Sequence, residues 1–130
     1  MLVEHIEPKL GFNRPVFLHD YPAERAALAR LKTDNPSAGE RFELYIGGLE
    51  IANGFSELID ANEQRRRFEE ALKKRAEKNW VRYDMPEKFL QSLDDLPPCA
   101  GIALGIDRLV MLCTGANRID DVVAFTPEML

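Results

Sequence analysis

Much that would narrow this chain's role at once is scarce in its 130 residues. There are only two cysteines, Cys99 and Cys113, and their separation matches no metal-chelating pattern. A zinc module and a disulfide framework are therefore not expected, and both thiols read as small buried hydrophobes in a reduced, cytoplasmic chain. Positive charge is not in excess. A formal net charge of −5 argues against a general nucleic-acid-binding surface and leaves a positively charged protein partner open. No apolar run is long enough to span a bilayer, so no membrane role is expected. Glu4, Glu7 and Lys9 interrupt the N-terminus in a way no signal peptide tolerates. There is no internal repeat and no low-complexity segment. What remains fits one domain of ordinary composition, long enough to build a core.

The most informative stretch is Arg41 to Glu57, RFELYIGGLEIANGFSE. Alternating runs flank Gly47-Gly48, which predicts a β-hairpin closed by a two-residue turn. In that register Tyr45 faces Glu50 and Glu43 faces Ala52. Phe42, Leu44, Ile46, Leu49 and Ile51 then form the core side. Glu43 and Glu50 share the other side as diagonal neighbours, within reach of one cation. Two solvated glutamates on an exposed sheet face are the alternative. Beyond Glu50 the polar positions change phase. A one-residue bulge with a break in the ladder near Ala52-Asn53-Gly54 would return Asn53, Phe55 and Glu57 to the side of the two glutamates. That face would suit a cation-rich ligand: a metal with phosphates, an amine, or both.

The flanking segments read more simply. Met1 to Lys9 resembles the tail of a helix ended by Pro8 and Gly11, so the start looks like a cut. Pro15 to Leu18 reads as a short buried strand, and His19-Asp20-Tyr21-Pro22 as an extended turn, because a residue before proline avoids the α region. Ala23 to Leu31 is short helix or irregular, and Thr33 to Ser37 is loop. Asp60-Ala61-Asn62-Glu63 has the form of a capping box, which predicts a helix from about Ala61 to Glu77 with a thin apolar stripe of Phe68, Ala71, Leu72 and Ala76. The basic run Arg65-Arg66-Arg67 reads as a solvated helix face. A shorter helix from Pro86 should pack Phe89, Leu90 and Leu93.

Cys99 to Leu104 then reads as a strand with small residues at Gly101, Ala103 and Gly105 on one face, where a flat ligand could approach the backbone. An apolar helix follows, ended by Gly115. Arg108 falls in its first turn, where the helix dipole disfavours a cation. A compensating anion is required: either a ligand phosphate or an acid of the chain itself. Val122 to Phe125 is expected to be a final short strand.

Two blocks carry a family resemblance. GIALGIDRL (Gly101 to Leu109) resembles motif 3 of the class II aminoacyl-tRNA synthetases: a glycine-rich strand, then Asp-Arg opening a helix. RFELYIGGLEIANGFSEL (Arg41 to Leu58) resembles the stretch that precedes motif 3 in lysyl-tRNA synthetases. The similarity extends from about Pro15 to Phe125. Lysyl-tRNA synthetases usually carry glycine where this chain has Ala52 and again where it has Ala103. Alanine at both is similar to a paralogous family, the elongation factor P (R)-β-lysine ligases, which lack the anticodon-binding domain. The opening LVEHIEPKLG resembles that family's helix just before this region.

The resemblance implies an α+β fold, with an antiparallel sheet flanked by helices. Residues 1–130 would be the C-terminal part of a class II catalytic domain, with motif 3 included and motifs 1 and 2 upstream of Met1. It implies ATP and Mg²⁺ as cofactors, and adenylation of lysine or β-lysine followed by transfer to a lysine of elongation factor P. Glu43 and Glu50 would hold magnesium. Glu50, Ile51, Gly105 and Arg108 would bind ATP, with Arg108 on the γ-phosphate. Glu50 and Arg108 would be the catalytic pair. Asn53 would take the amino-acid carboxylate, Phe55 the aliphatic stem and Glu57 the distal ammonium, while Ala103 would shape the pocket. The whole protein would be a cytoplasmic homodimer without tRNA as a partner, and this segment alone would be inactive. A fragment of a lysyl-tRNA synthetase and a non-catalytic synthetase-like module are the alternatives.

Overall fold

Gly47 and Gly48 both take the left-handed backbone conformation, with φ of 60° and 80°. Two consecutive positive φ values make the primed turn whose twist matches that of paired strands. The computed structural model describes residues 2–126. In it this turn joins β2 (Ala38–Ile46) to β3 (Leu49–Ser56). With β1 (Val16–Pro22) and β4 (Ala100–Leu104) they form one sheet in the order β1-β2-β3-β4. Four helices accompany it among the described residues: α1 (Leu2–His5), α2 (Ala61–Glu77), α3 (Glu87–Ser92) and α4 (Ile106–Thr114). The architecture is α+β, an open antiparallel sheet with helices. No helix among the described residues is long and apolar enough to cross a membrane.

The chain divides into two compact units. The first holds the residues up to Asp20, Arg41–Gly54, and those from Ile102 onward; the second holds Tyr21–Glu40 and Phe55–Gly101. In the first unit the hairpin tip is tied to the N-terminal segment. Gly47 and Gly48 donate their amides to the carbonyls of Gly11 and Leu10, at 2.9 and 2.8 Å. Gly11 must be glycine on two counts: its φ is 79°, and a Cβ there would stand 2.4 Å from the Tyr45 carbonyl oxygen. Tyr45, Ile51, Ala52 and Met111 are buried in this unit. Phe17 packs edge-on against Phe42, with ring centroids 5.8 Å apart.

The second unit is organised by α2. Asp60 caps it, its carboxylate accepting from the amides of Asn62 and Glu63. Glu63 does not reach back to complete the predicted box. Its oxygens accept instead from Arg66 and Arg67. Arg67 in turn donates to the carbonyls of Ala27 and Ala29, at 2.9 and 2.8 Å, fastening the segment after β1 to the helix. Leu58, Leu90, Leu93, Tyr21, Ala26, Ala29 and Ala38 form this unit's buried apolar set.

Several expectations need correction. β1 runs on through His19, Asp20, Tyr21 and Pro22 instead of stopping at Leu18. The extended backbone that proline imposes on its neighbour is also strand geometry, and an edge strand needs no amide from proline. β3 is continuous through Ala52, Asn53 and Gly54, with no break; as an inner strand it is flanked by both β2 and β4. Of the expected core side only Ile51 is buried, whereas Phe42, Leu44, Ile46 and Leu49 stay partly exposed, and the opposite side buries Glu43 and Tyr45. The apolar stripe of α2 is shallow, since only Gln64 in that helix is fully buried. Both cysteines are exposed, because β4 is open along its whole length and α4 buries only Met111. Val122 to Phe125 is not a strand. It follows a 3₁₀ turn, Ile119–Asp121, as turn and bend, with Phe125 exposed.

The arginine grip on Glu63 predicts a pH dependence. Arg66 first and then Arg67 hold its carboxyl down at about 2, against an ordinary value of 4.5. A depressed folded pKa contributes stability that is fully present above 4.5 and is lost as pH falls towards 2. Denaturation midpoints followed from pH 7 to pH 2 should fall less steeply in Glu63→Gln than in the parent within that window. Identical slopes would contradict the assignment.

Candidate functional site

In the first unit the hairpin presents two glutamates in different states. Glu43 is buried, and its oxygens are engaged. Oε1 accepts from Arg41 Nη2 at 2.6 Å and from Asn53 Nδ2 at 3.2 Å. Oε2 accepts from the Tyr45 hydroxyl at 2.5 Å. A carboxylate can be buried at this depth because a cation neutralises it and hydrogen bonds replace its water. The Asn53 contact also places that amide on the Glu43 side of the sheet, the displacement a bulge was expected to produce, although the strand itself is unbroken. Asn53 Oδ1 is buried and has no hydrogen-bond partner among the described residues.

Glu50 is the open member of the pair. Its side chain is about one-third exposed, and Oε2 lies 3.6 Å from Arg108 Nη1. The same Nη1 donates to the main-chain carbonyl of Glu50 at 2.7 Å. The anion required by a cation in the first turn of α4 is thus one of the chain's own acids. Gly105 caps α4 and donates its amide to the Ile51 carbonyl at 2.9 Å. That bond sets an antiparallel register with Ile51 opposite Gly105 and therefore Asn53 opposite Ala103. The nearest atoms a Cβ at Gly105 would meet are those of the Arg108 side chain, at ordinary contact distance, so an incoming group can approach the backbone there.

The remaining candidates belong to the second unit. Glu57 is half-buried and donates its amide to the Cys99 carbonyl at 3.0 Å. Its Oε1 would lie 3.1 Å from a Cβ on Gly101, so the missing side chain at Gly101 leaves room for the Glu57 carboxylate. Phe55 is half-buried.

The structure thus brings Glu43 to Asn53 and Glu50 to Arg108, Gly105 and Ile51 along β3. None of the candidates lines either of the two main cavities. The larger, about 520 Å³, is walled in the second unit by Leu28, Leu31, Phe68, Ala71 and the α2 charges; the other lies by Leu49, Met111 and Leu112 in the first. Arg41 and Tyr45 escaped the sequence reading as partners of Glu43. The signal was present, since Arg41, Glu43 and Tyr45 alternate onto one strand face.

The donor chemistry fits magnesium at Glu50, a partly exposed carboxylate oxygen beside a phosphate-type cation. At Glu43 an ion would have to compete with Arg41, Asn53 and Tyr45. Tyr45→Phe removes one of those donors from a buried charge and should cost about 1.5–3 kcal/mol of stability, read from urea unfolding with an unchanged slope. A loss below about 0.5 kcal/mol would contradict the Glu43 network.

Residues 5–129 match the sequence profile of the tRNA synthetases class II (D, K and N). A protein of Pectobacterium carotovorum subsp. carotovorum (strain PC1) named elongation factor P--(R)-beta-lysine ligase is 45% identical over 124 residues, 95% of this chain and 38% of the relative. Proteins of the same name from Proteus mirabilis (strain HI4320) and Salmonella gallinarum (strain 287/91 / NCTC 13346) are 44% and 45% identical. They match 96% and 98% of this chain, and 39% and 40% of their own lengths. The chain therefore spans about two-fifths of the curated relatives it matches. With a profile match over nearly its whole length, the chain belongs to the class II tRNA synthetases of the D, K and N group.

Proposed function

We propose that this chain is the C-terminal part of the catalytic domain of a cytoplasmic, ATP-dependent ligase that activates lysine or (R)-β-lysine and passes it to a lysine of elongation factor P. The observation that carries the reading is the pairing of Glu50 with Arg108, at 3.6 Å. It joins an acid suited to a metal ion and a cation suited to phosphate at the mouth of α4. The name shared by relatives about 45% identical over nearly the whole chain supports the substrate and the acceptor. Alanine at both Ala52 and Ala103, where lysyl-tRNA synthetases usually have glycine, supports this branch over tRNA charging.

The reaction has two balanced steps. A carboxylate oxygen of the amino acid attacks the α-phosphorus of ATP, the α–β phosphoanhydride bond breaks, and pyrophosphate leaves. The ε-amine of the acceptor lysine then attacks the acyl carbon, an amide forms, and AMP leaves. Arg108 exchanges the Glu50 carbonyl for the γ-phosphate, holding the leaving group while charge builds on it. Glu50 would hold Mg²⁺, which supplies neutralisation of phosphate charge, and Glu43 would join it only by giving up one of its bonds to Arg41, Asn53 or Tyr45. Gly105 and Ile51 offer open backbone to the nucleotide. Asn53 keeps a second amide hydrogen for the substrate carboxylate while its first holds Glu43. Glu57 takes the distal ammonium, and a carboxylate left unpaired by the wrong side chain makes that position selective. Phe55 covers the stem. The Ala103 methyl, opposite Asn53, narrows the floor and favours the amine placed one carbon further along.

The test is ATP–pyrophosphate exchange by the complete protein with α-lysine and (R)-β-lysine. Exchange is expected with one of them, and Arg108→Ala should lower kcat/KM by about 10²–10³-fold without loss of fold. A change within about twofold would remove Arg108 from the site. The 130-residue chain alone should give no exchange. Ala103→Gly should move the preference towards α-lysine; an unchanged ratio rejects the pocket role.

A further inference from the structure

The two halves of α2 treat their cations differently. In the first half every arginine is neutralised by the chain itself: Arg65 by Glu87, Arg66 by Glu63 and Glu70, Arg67 by Glu63. At the other end Lys73, Lys74, Arg75, Lys78 and Arg82 have Glu69, Glu70, Glu77 and Asp84 near them in sequence, yet the fold does not bring these charges together in the same way. Among the described residues no carboxylate pairs with Arg75, Lys78 or Arg82. Rings hold two of them instead. The Arg75 guanidinium lies 4.6 Å from the Tyr83 ring centroid and 5.6 Å from that of Trp80, and Lys78 Nζ lies 4.8 Å from Trp80. Arg75 Nε is further fixed on the Val81 carbonyl at 2.8 Å. Trp80, Val81 and Tyr83 are nonetheless 55%, 68% and 63% exposed.

The helix dipole accounts for cations in the last turn, Lys74 and Arg75. It reaches Lys78, the C-cap, but does not account for Arg82, four residues further on, nor for three large apolar side chains held in water. Exposed tryptophan, tyrosine and arginine side by side are the composition of a protein-binding hot spot. A guanidinium stacked on rings keeps its in-plane N–H groups for a carboxylate. A nucleic acid would use the same surface differently, by stacking bases on the ring faces. Here those faces already carry the chain's own cations.

We infer that the loop Lys78 to Tyr83, with Arg75, is a docking surface for an acidic patch on a partner protein. Resting on the function proposed above, that partner is the protein substrate, elongation factor P. Carboxylates of the partner meet Arg75, Lys78 and Arg82, while Trp80 and Val81 supply apolar contact.

Trp80 is the chain's only tryptophan, so its fluorescence reports on this surface directly. The 130-residue chain is titrated at low salt with elongation factor P, with poly-L-glutamate and with a twelve-residue oligouridylate. Elongation factor P and poly-L-glutamate should both shift the emission, and added salt should reverse the shift. The exposed double variant Lys78→Glu/Arg82→Glu, which keeps Trp80, should weaken both at least tenfold with unchanged circular dichroism. Emission unmoved by either acidic probe overturns the inference, as does a response to the oligouridylate alone. Binding of elongation factor P that leaves Trp80 silent and tolerates the double variant also overturns it while sparing the ligase reading. Binding of poly-L-glutamate but not of elongation factor P overturns the inference as well, since the surface then takes acidic chains but not this partner, and it also counts against the ligase reading.

Discussion

A guanidinium in the first turn of a helix opposes the helix dipole, and Arg108 can stand there only because an anion meets it. In this chain that anion is Glu50, through both its carboxylate and its main-chain carbonyl. The consequence is mechanical as well as electrostatic. The start of α4 is fastened to β3 at two consecutive carbonyls, by the Arg108 guanidinium on Glu50 and the Gly105 amide on Ile51. A side-chain cation that bridges two elements while staying half in solvent is held firmly and is still free to change partners. That combination is what a phosphate-binding arginine needs.

The hairpin divides its acidic charge along the same lines. Glu43 is sealed by Arg41, Tyr45 and Asn53, which fixes the Asn53 amide at a defined place on β3. Rigid support of this kind is how a sheet positions a side chain whose own rotamers would otherwise be loose. Glu50 has no such cage and remains available. In the second unit Gly101 makes space for Glu57 by having no side chain. Charge, support and absent bulk thus each occupy a small number of positions on three short segments.

How much of this was readable in advance depends on whether the signal was local. The glycine turn, the Asp60 cap, the length of α2, the start of α3 after Pro86 and the Gly115 stop are set by backbone preferences of a few residues, and each appears where the sequence placed it. The burial of Ile51 was legible but that of Glu43 and Tyr45 was not, because alternation ranks leucine above glutamate and cannot see that Arg41 and Tyr45 neutralise and solvate Glu43 from the same strand. The exposure of Cys99 and Cys113 was missed for a related reason: a small apolar run looks buried whether or not anything covers it. The Arg108 question was posed correctly by the helix dipole, but two answers satisfied it. Only the spatial return of Glu50, 58 residues earlier in the chain, supplied one.

The most direct test is a crystal structure of the complete protein with Mg²⁺ and a non-hydrolysable ATP analogue. The account predicts that Arg108 will have left the Glu50 carbonyl for a γ-phosphate oxygen, with the Glu50 carboxylate turned to the metal. Phosphates bound elsewhere, with Arg108 still on the Glu50 carbonyl, would contradict it.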